Sequence, residues 1–320
     1  MGYKIGSFNI RNFGLTALGP SNQRDISQIA KIIKEEDFDV VALQEIQSAG
    51  KALWLIGNSL KSPLLYELGP EWDCWPSQSI NAKNNTDFAF VWKKERLSLS
   101  NGDNPTCVEY TKNGEWVELV RTPVIARFTP KYLPKLELRL INIHLKGNGN
   151  NTLDIRKNEF NTLIKQIYTK YEDERFGDNK EAITIALGDY NLNIKLPIDD
   201  KRDKEYLDEI VEYDGKLIRT RQSARTTLKA GNQTAKDGEV KIENVKKDKI
   251  KQDAADMTGK ETDYWKNNFD HYSYDAAIDS KAIIGDARID VVAKYFGRDE
   301  IDYQEKVSNH VPIAITVDII

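Results

Sequence analysis

Nine polar residues stand where runs of apolar or β-branched residues stop: Asn9, Glu45, Arg121, His144, Asp189, Asn191, Asp275, Asn309 and His310. Each alone has an ordinary explanation as a turn former, a solvated charge or a satisfied strand-end histidine. As a set they could hydrolyse a phosphate ester. A carboxylate such as Glu45 can hold Mg²⁺, which takes hard oxygen ligands and keeps several waters. Arginine and side-chain amides can bind non-bridging oxygens as negative charge builds on them. Two histidines can divide the work of general base and general acid.

The elements that must carry these residues can be read from periodicity. Residues 183–191, ITIALGDYN, make a short buried strand that Gly188 ends and that presents Asp189 and Asn191 at its mouth. Residues 3–10 alternate as a half-buried strand would, ending at Asn9. Ile26, Ile29, Ala30 and Ile33 then recur at helical spacing, with Ser21 or Asn22 as the candidate cap. FDVVAL, 38–43, is a buried strand delivering Gln44 and Glu45. This strand–helix–strand order predicts a crossover that sets Asn9 and Glu45 at comparable strand ends.

A helix over 51–61 and a loop bearing Trp72 and Trp75 are expected next, then strands over 87–92, 120–128 and 136–145. Arg121 lies near the start of the second, with Pro123 beside it. The third switches apolar phase midway, as a strand buried on both faces or bulged would, and ends at His144. Phe160, Leu163, Ile164 and Ile167 define one face of an amphipathic helix. Helical spacing recurs around Tyr206 to Tyr213. The stretch at about 229–262 is polar and mixed in charge, a solvated helix or a mobile insertion. No internal repeat or domain boundary is visible, so residues 1–320 read as one domain carrying that insertion.

Composition narrows the classes. Charged residues make up 30% of the chain, and the mean hydropathy of −0.58 describes a water-soluble protein. No window approaches the roughly 18 apolar residues of a membrane span, so no membrane partner is expected. The compartment stays open: cytoplasmic, or secreted with a signal peptide removed. A net charge of −4 argues against coating nucleic acid by bulk electrostatics, yet a nuclease needs only a local basic rim. Cys74 and Cys107 have no metal-ligand spacing and read as two unpaired thiols. A monomer is expected.

Taken in order, S-F-N-I, L-Q-E-I, R-x-P, N-I-H-L, L-G-D-Y-N, Y-D-A-A-I-D-S and S-N-H-V-P run from Ser7 to Pro312, within a match over residues 5 to 317. This ordered set resembles the endonuclease/exonuclease/phosphatase superfamily of deoxyribonuclease I-like folds. The resemblance implies a four-layer α/β sandwich, two mixed sheets face to face with helices outside. It also implies a metal-assisted phosphodiesterase or phosphatase using in-line attack by water, with Mg²⁺ as cofactor and Mn²⁺ or Ca²⁺ as alternatives. By position, Glu45 resembles the metal ligand, with Asn9 beside it. Asp189 and Asn191 resemble the residues that orient the water and contact the phosphate. Arg121 matches the phosphate-binding arginine. His310 matches the general base or phosphate-contacting histidine, with Asp275 as the carboxylate that fixes its tautomer. His144 matches the second histidine, assisting leaving-group departure.

Two positions depart from the pattern. The usual S-D-H reads S-N-H, so Asn309 replaces a carboxylate at the metal site and one negative charge is lost. The acidic partner of His144, normally a glutamate before an aromatic strand, is replaced by Thr86 and Asp87, of which Asp87 is the candidate. Trp72, Trp75 and the Lys/Asn-rich loop at 146–151 are candidates to meet bases and phosphates. Nucleic acid, DNA first and RNA second, is the leading substrate. A phosphatase or phosphodiesterase acting on a small phosphorylated molecule or lipid is the first rival. A catalytically impaired nucleic-acid-binding protein is the second.

Overall fold

Runs rich in Val, Ile and Phe pair into two mixed sheets, and amphipathic helices cover their outer faces. The computed structural model describes residues 2–13, 24–47, 63–76, 86–108, 111–112, 115–116, 119–147, 152–174, 181–194, 206–207, 210–221, 226–228, 265–267, 269–280 and 282–319. The first strands are β1 (Gly2–Phe13), β2 (Val40–Gln47), β3 (Trp72–Pro76), β4 (Thr86–Lys93), β5 (Leu97–Leu99) and β6 (Thr106–Cys107). A small ribbon, β7 (Thr111–Lys112) and β8 (Glu115–Trp116), precedes β9 (Val124–Pro130), β10 (Leu136–His144) and β11 (Glu181–Asp189). Then come β12 (Asn193–Ile194), β13 (Tyr206–Leu207), β14 (Ile210–Tyr213), β15 (Lys216–Arg221), β16 (Thr227–Leu228) and β17 (Trp265–Asn267). The chain closes with β18 (Asp270–Asp275), β19 (Ala282–Arg288) and β20 (Ile313–Ile319).

One sheet runs β19-β20-β1-β2-β4-β3, and the other runs β14-β15-β18-β11-β10-β9-β5, with β6 also on β9. Each contains one parallel pair among the described strands, β1 with β2 and β10 with β11. Parallel neighbours need a crossover. In the first sheet it is α1 (Ile26–Glu35). In the second it is α3 (Leu153–Thr162), a π-helical turn over Leu163–Tyr168 and α4 (Thr169–Asp173). A parallel pair brings two strand C-termini to the same edge, so each sheet offers two adjacent strand ends.

Three apolar clusters define four layers. Ile29, Ile32 and Ile33 of α1, with α2 (Pro63–Leu68) and the helix Val291–Phe296, cover the first sheet. Ile5, Phe90, Phe128, Leu140, Ile185 and Ile315 fill the space between the sheets. Phe160, Leu163, Ile164 and Ile167 pack on the outside of the second sheet. The four-layer sandwich is therefore realised, and the face expected of α3 and its continuation is the buried one.

β10 is buried at all nine positions, and its register with β9 and β11 is regular. The phase switch in its sequence thus reflects burial on both faces. A polar tie crosses the inter-sheet core beneath the strand ends. Gln44 Nε2 donates to Asn142 Oδ1 at 2.8 Å, and Asn142 Nδ2 donates to the Leu43 carbonyl at 3.0 Å. Buried amides satisfied in this way hold one register between the sheets, because sliding would leave them unpaired.

Several expectations need correction. The cap of α1 is Asp25, whose carboxylate accepts the Gln28 N–H at 3.0 Å; Ser21 and Asn22 lie outside the described residues. β1 is buried on both faces rather than half-buried, and it runs past Asn9 to Phe13. The segment from Tyr206 to Tyr213 is extended, not helical. Asp214 and Gly215, at φ 49° and 74°, make the tight turn between β14 and β15. Trp72 and Trp75 sit in strand β3, where Trp72 is core and Trp75 packs against the inter-sheet cluster, so neither forms a base-stacking loop. Arg121 precedes β9 instead of lying in it. No disulfide joins Cys74 to Cys107. Residues 51–61 and 229–262 and the tip of the 146–151 loop lie outside the described residues.

Candidate active site

The two pairs of parallel strand ends meet at one place. β1 supplies Asn9 and β2 supplies Glu45; β10 supplies His144 and β11 supplies Asp189. Asn9 Nδ2 donates to Glu45 Oε1 at 3.0 Å and to Asp189 Oδ2 at 2.9 Å, joining a carboxylate from each sheet. Its oxygen accepts the Arg11 N–H at 2.9 Å. Asn9, expected beside the metal as a ligand, therefore turns its nitrogen to the two carboxylates and spaces them.

Local backbone explains why these side chains point inward. Glu45 has φ 61°, and the pairing of β2 with β4 shifts register between Leu43 and Ile46. A bulge of this kind re-aims a side chain, and a left-handed non-glycine residue persists only where its surroundings hold it. Gly188 has φ 147°, and a Cβ there would lie 2.0 Å from the Ile143 carbonyl oxygen, so only glycine lets β11 approach β10 just before Asp189. Asn191 (φ 49°) follows a tight turn in which its N–H donates to Asp189 Oδ1 at 2.9 Å. Its Nδ2 donates to the Leu145 carbonyl at 3.2 Å. Arg121 Nη1 donates to the same carbonyl at 2.8 Å.

The two histidines flank Asp189. His144 Nε2 lies 3.6 Å from Asp189 Oδ2 and 3.9 Å from Glu45 Oε1. His310 Nε2 lies 3.7 Å from the same Asp189 oxygen. Both distances exceed a hydrogen bond and leave space for a shared ligand. His310 Nδ1 is 2.9 Å from Asp270 Oδ2. Ser308 secures this segment: its hydroxyl donates to the Asn9 carbonyl at 2.6 Å, and its Oγ accepts the His310 N–H at 3.1 Å.

The carboxylate on His310 is thus Asp270, not Asp275. β18 is antiparallel to β11 and pairs Asp270 with Asp189, so its N-terminal end lies at the site. Asp275 is five residues further along the strand, roughly 17 Å away at the usual rise. Its carboxylate caps Ala277 N–H at 2.8 Å. The rule that chemistry gathers at strand C-termini misleads for an antiparallel strand.

Charge separates the histidines. Burial, with Arg121 and His310 nearby, holds His144 well below its ordinary value and favours its neutral form. Burial also opposes a charge on His310, but Asp270 and Asp189 outweigh it and raise the imidazole above its ordinary range. Asp189 is raised by burial, by Asp270 and by Glu45, with His310 acting against them. Arg121 is lowered by burial while Asp189, Glu45 and Glu159 favour its charge.

Among the described residues two groupings could hold a cation: Glu45, His144 and Asp189, and Asp189, Asp270 and His310. Asn309 Oδ1 is buried with no hydrogen-bond partner among the described residues, as a ligand awaiting a cation would be. The carboxylate-rich donor set fits a hard divalent ion. Asp87 lies in β4 opposite Ile46, but its side chain is outside the described residues, and His144 Nδ1 has no hydrogen-bond partner among them. Sequence reasoning missed Asp270, Ser308 and the Gln44–Asn142 tie. The register of β18 against β11 was the signal that finds Asp270.

No protein-family model matches the sequence, and no curated protein matches it. Solved structures do. TDP2 from Caenorhabditis elegans superposes with TM-score 0.56 at 16% identity over 99% of this chain and 75% of that one. An endonuclease/exonuclease/phosphatase family protein from Bacteroides thetaiotaomicron gives TM-score 0.55 at 12% identity, covering 99% and 97%. A mannosyl-6-phosphatase from the same species gives 0.54 at 14% identity, covering 99% of both.

The chain has the endonuclease/exonuclease/phosphatase fold.

Within that fold, Asn9, Glu45, His144, Asp189 and His310 converge, with Arg121 and Asn191 tethered to one carbonyl beside them. No helix among the described residues is long and apolar enough to cross a membrane.

Proposed function

We propose that the protein is a divalent-metal-dependent hydrolase of phosphate esters, acting on the phosphodiester of nucleic acid, DNA first. The observation that carries this reading is the meeting of Glu45, Asp189, His144 and His310 around Asn9, with every contact at or under 3.9 Å. Glu45 and the Asn309 oxygen are the groups that would hold Mg²⁺. Bound there, the ion would supply charge neutralisation at the non-bridging oxygens.

Each residue then has a role that its surroundings favour. Asp189, held by Asn9 and by the Asn191 N–H, orients the attacking water and takes its proton, which its raised pKa assists. Protonated His310, fixed by Asp270, contacts the phosphate as charge develops, a role that its raised pKa favours over that of general base. Arg121 and Asn191 bind phosphate oxygens, and neutral His144 assists at the leaving-group side.

The nucleic-acid substrate is supported by a structural neighbour, TDP2 from D. rerio complexed with single strand DNA product, at TM-score 0.53 and 15% identity. The mannosyl-6-phosphatase supports the rival, a small phosphorylated substrate. Incubation with Mg²⁺ and either plasmid DNA or a set of sugar phosphates and phosphoinositides separates the two. Nicked or shortened DNA supports the nuclease; intact DNA beside released inorganic phosphate overturns it in favour of the phosphatase.

A further inference from the structure

Glu159, on α3, is a carboxylate outside the residues assigned above. It is buried, at 7% exposure. Its two oxygens divide between separate segments: Oε1 accepts the Val120 N–H at 2.8 Å, and Oε2 accepts the Lys146 N–H at 2.8 Å. Val120 immediately precedes Arg121. Lys146 follows Leu145, whose carbonyl receives both Arg121 Nη1 and Asn191 Nδ2 and whose N–H donates to the Asp189 carbonyl at 3.0 Å. A single side chain therefore ties the segment that brings in the arginine to the segment that leaves His144. Its charge also favours the cationic form of Arg121.

We propose that Glu159 is a positioning residue for phosphate binding: it sets where the Arg121 guanidinium and the Leu145 carbonyl lie relative to Asp189. Arg121 Nη1 is anchored on the Leu145 carbonyl, and a shift of about 1 Å in a binding group can cost on the order of 10²-fold in rate. Two charge-assisted hydrogen bonds from one carboxylate prevent that shift from both sides. Glutamine cannot replace it, because an amide offers one acceptor oxygen and would present a donor to the second N–H. Aspartate keeps the charge but is too short to span both amides. The proposal rests on the phosphoesterase reading for its kinetic consequence, while the tie itself can be measured without activity.

The test combines both. Glu159→Gln, Glu159→Asp, Arg121→Ala and the double variant Arg121→Ala/Glu159→Gln are assayed on bis(p-nitrophenyl) phosphate with Mg²⁺. Amide exchange at Val120 and Lys146 is followed in the same proteins. Glu159→Gln is expected to raise KM about tenfold with a smaller change in kcat. The double variant should be no worse than Arg121→Ala. Exchange at both amides should quicken. A purely structural carboxylate would lower Tm and leave this KM pattern unmoved. Unchanged KM in both Glu159 variants, full additivity with Arg121→Ala, or unaltered protection at Val120 and Lys146 overturns the proposal. If the parent hydrolyses no phosphate ester, the phosphoesterase reading fails on its own, and the exchange result still decides whether Glu159 holds the two segments.

Discussion

His144 and His310 approach the same oxygen of Asp189 from opposite sheets at 3.6 and 3.7 Å, yet their surroundings push them apart in charge. His144 ends β10 among Ile143, Leu145 and the Arg121 cation, with no carboxylate hydrogen-bonded to it among the described residues. His310 lies just before β20 with Asp270 on its Nδ1. Equal distance to one carboxylate therefore does not make equal groups. The second neighbour decides, favouring the charged form of one histidine and the neutral form of the other.

The largest way to break that comparison is to delete each histidine. His310→Ala is expected to lower kcat/KM by about 10² to 10⁴ and to remove the alkaline limb of the pH–rate profile. His144→Ala should also lose activity but keep that limb. Identical profile changes in the two variants would mean that the histidines are not distinguished by charge.

Asp270→Asn is the next step down. It leaves His310 in place and removes the main group that holds it protonated, so the alkaline limb should move to lower pH. Stability should follow the same sign. A His310 pKa raised above the ordinary 6.5 contributes stability that is complete below pH 6.5 and is lost as pH rises through the raised value. His144 acts in the opposite sense: its depressed pKa withdraws stability as pH falls below 6.5. Thermal melts of the metal-free protein from pH 5 to 10 should show the alkaline decline in the parent and a flatter curve in Asp270→Asn. A parent Tm that does not fall above pH 6.5 would contradict the assignment.

Much of this arrangement is legible in the sequence. Strand-end positions for Asn9, Glu45, His144 and Asp189 follow from where apolar runs stop, because parallel strands gather chemistry at their C-termini. Asp270 was not legible by that rule, since β18 runs the other way and offers its N-terminal end. The turn Tyr213-Asp214-Gly215 was present in the sequence as a hairpin signal, but the spacing of tyrosines around it imitates a helix. Gln44, Asn142 and Glu159 matter through partners 13 to 99 residues away, which no local pattern reveals.

Asn309→Asp should produce a moderate gain. It restores a charge beside His310, so activity should rise more at low Mg²⁺ than at saturation. A uniform gain at every Mg²⁺ concentration would instead place Asn309 with the water or with His310. The smallest effect is expected from Asp275→Asn, which touches the Ala277 cap at the far end of β18. It should stay within about twofold in activity and cost about 0.5 to 1 kcal/mol of stability at most, read from a urea melt. A loss matching that of Asp270→Asn would undo the distinction between the two aspartates.

The central claim is that Asp189, held between the sheets by Asn9, works with a divalent cation to hydrolyse a phosphate ester. Its most direct test is hydrolysis of a phosphodiester by the parent and by Asp189→Asn, with Mg²⁺ and with EDTA. The account predicts turnover by the parent that EDTA abolishes and added Mg²⁺ restores, and none above background in a folded Asp189→Asn. Undiminished turnover in EDTA, or an Asp189→Asn variant as active as the parent, would contradict it.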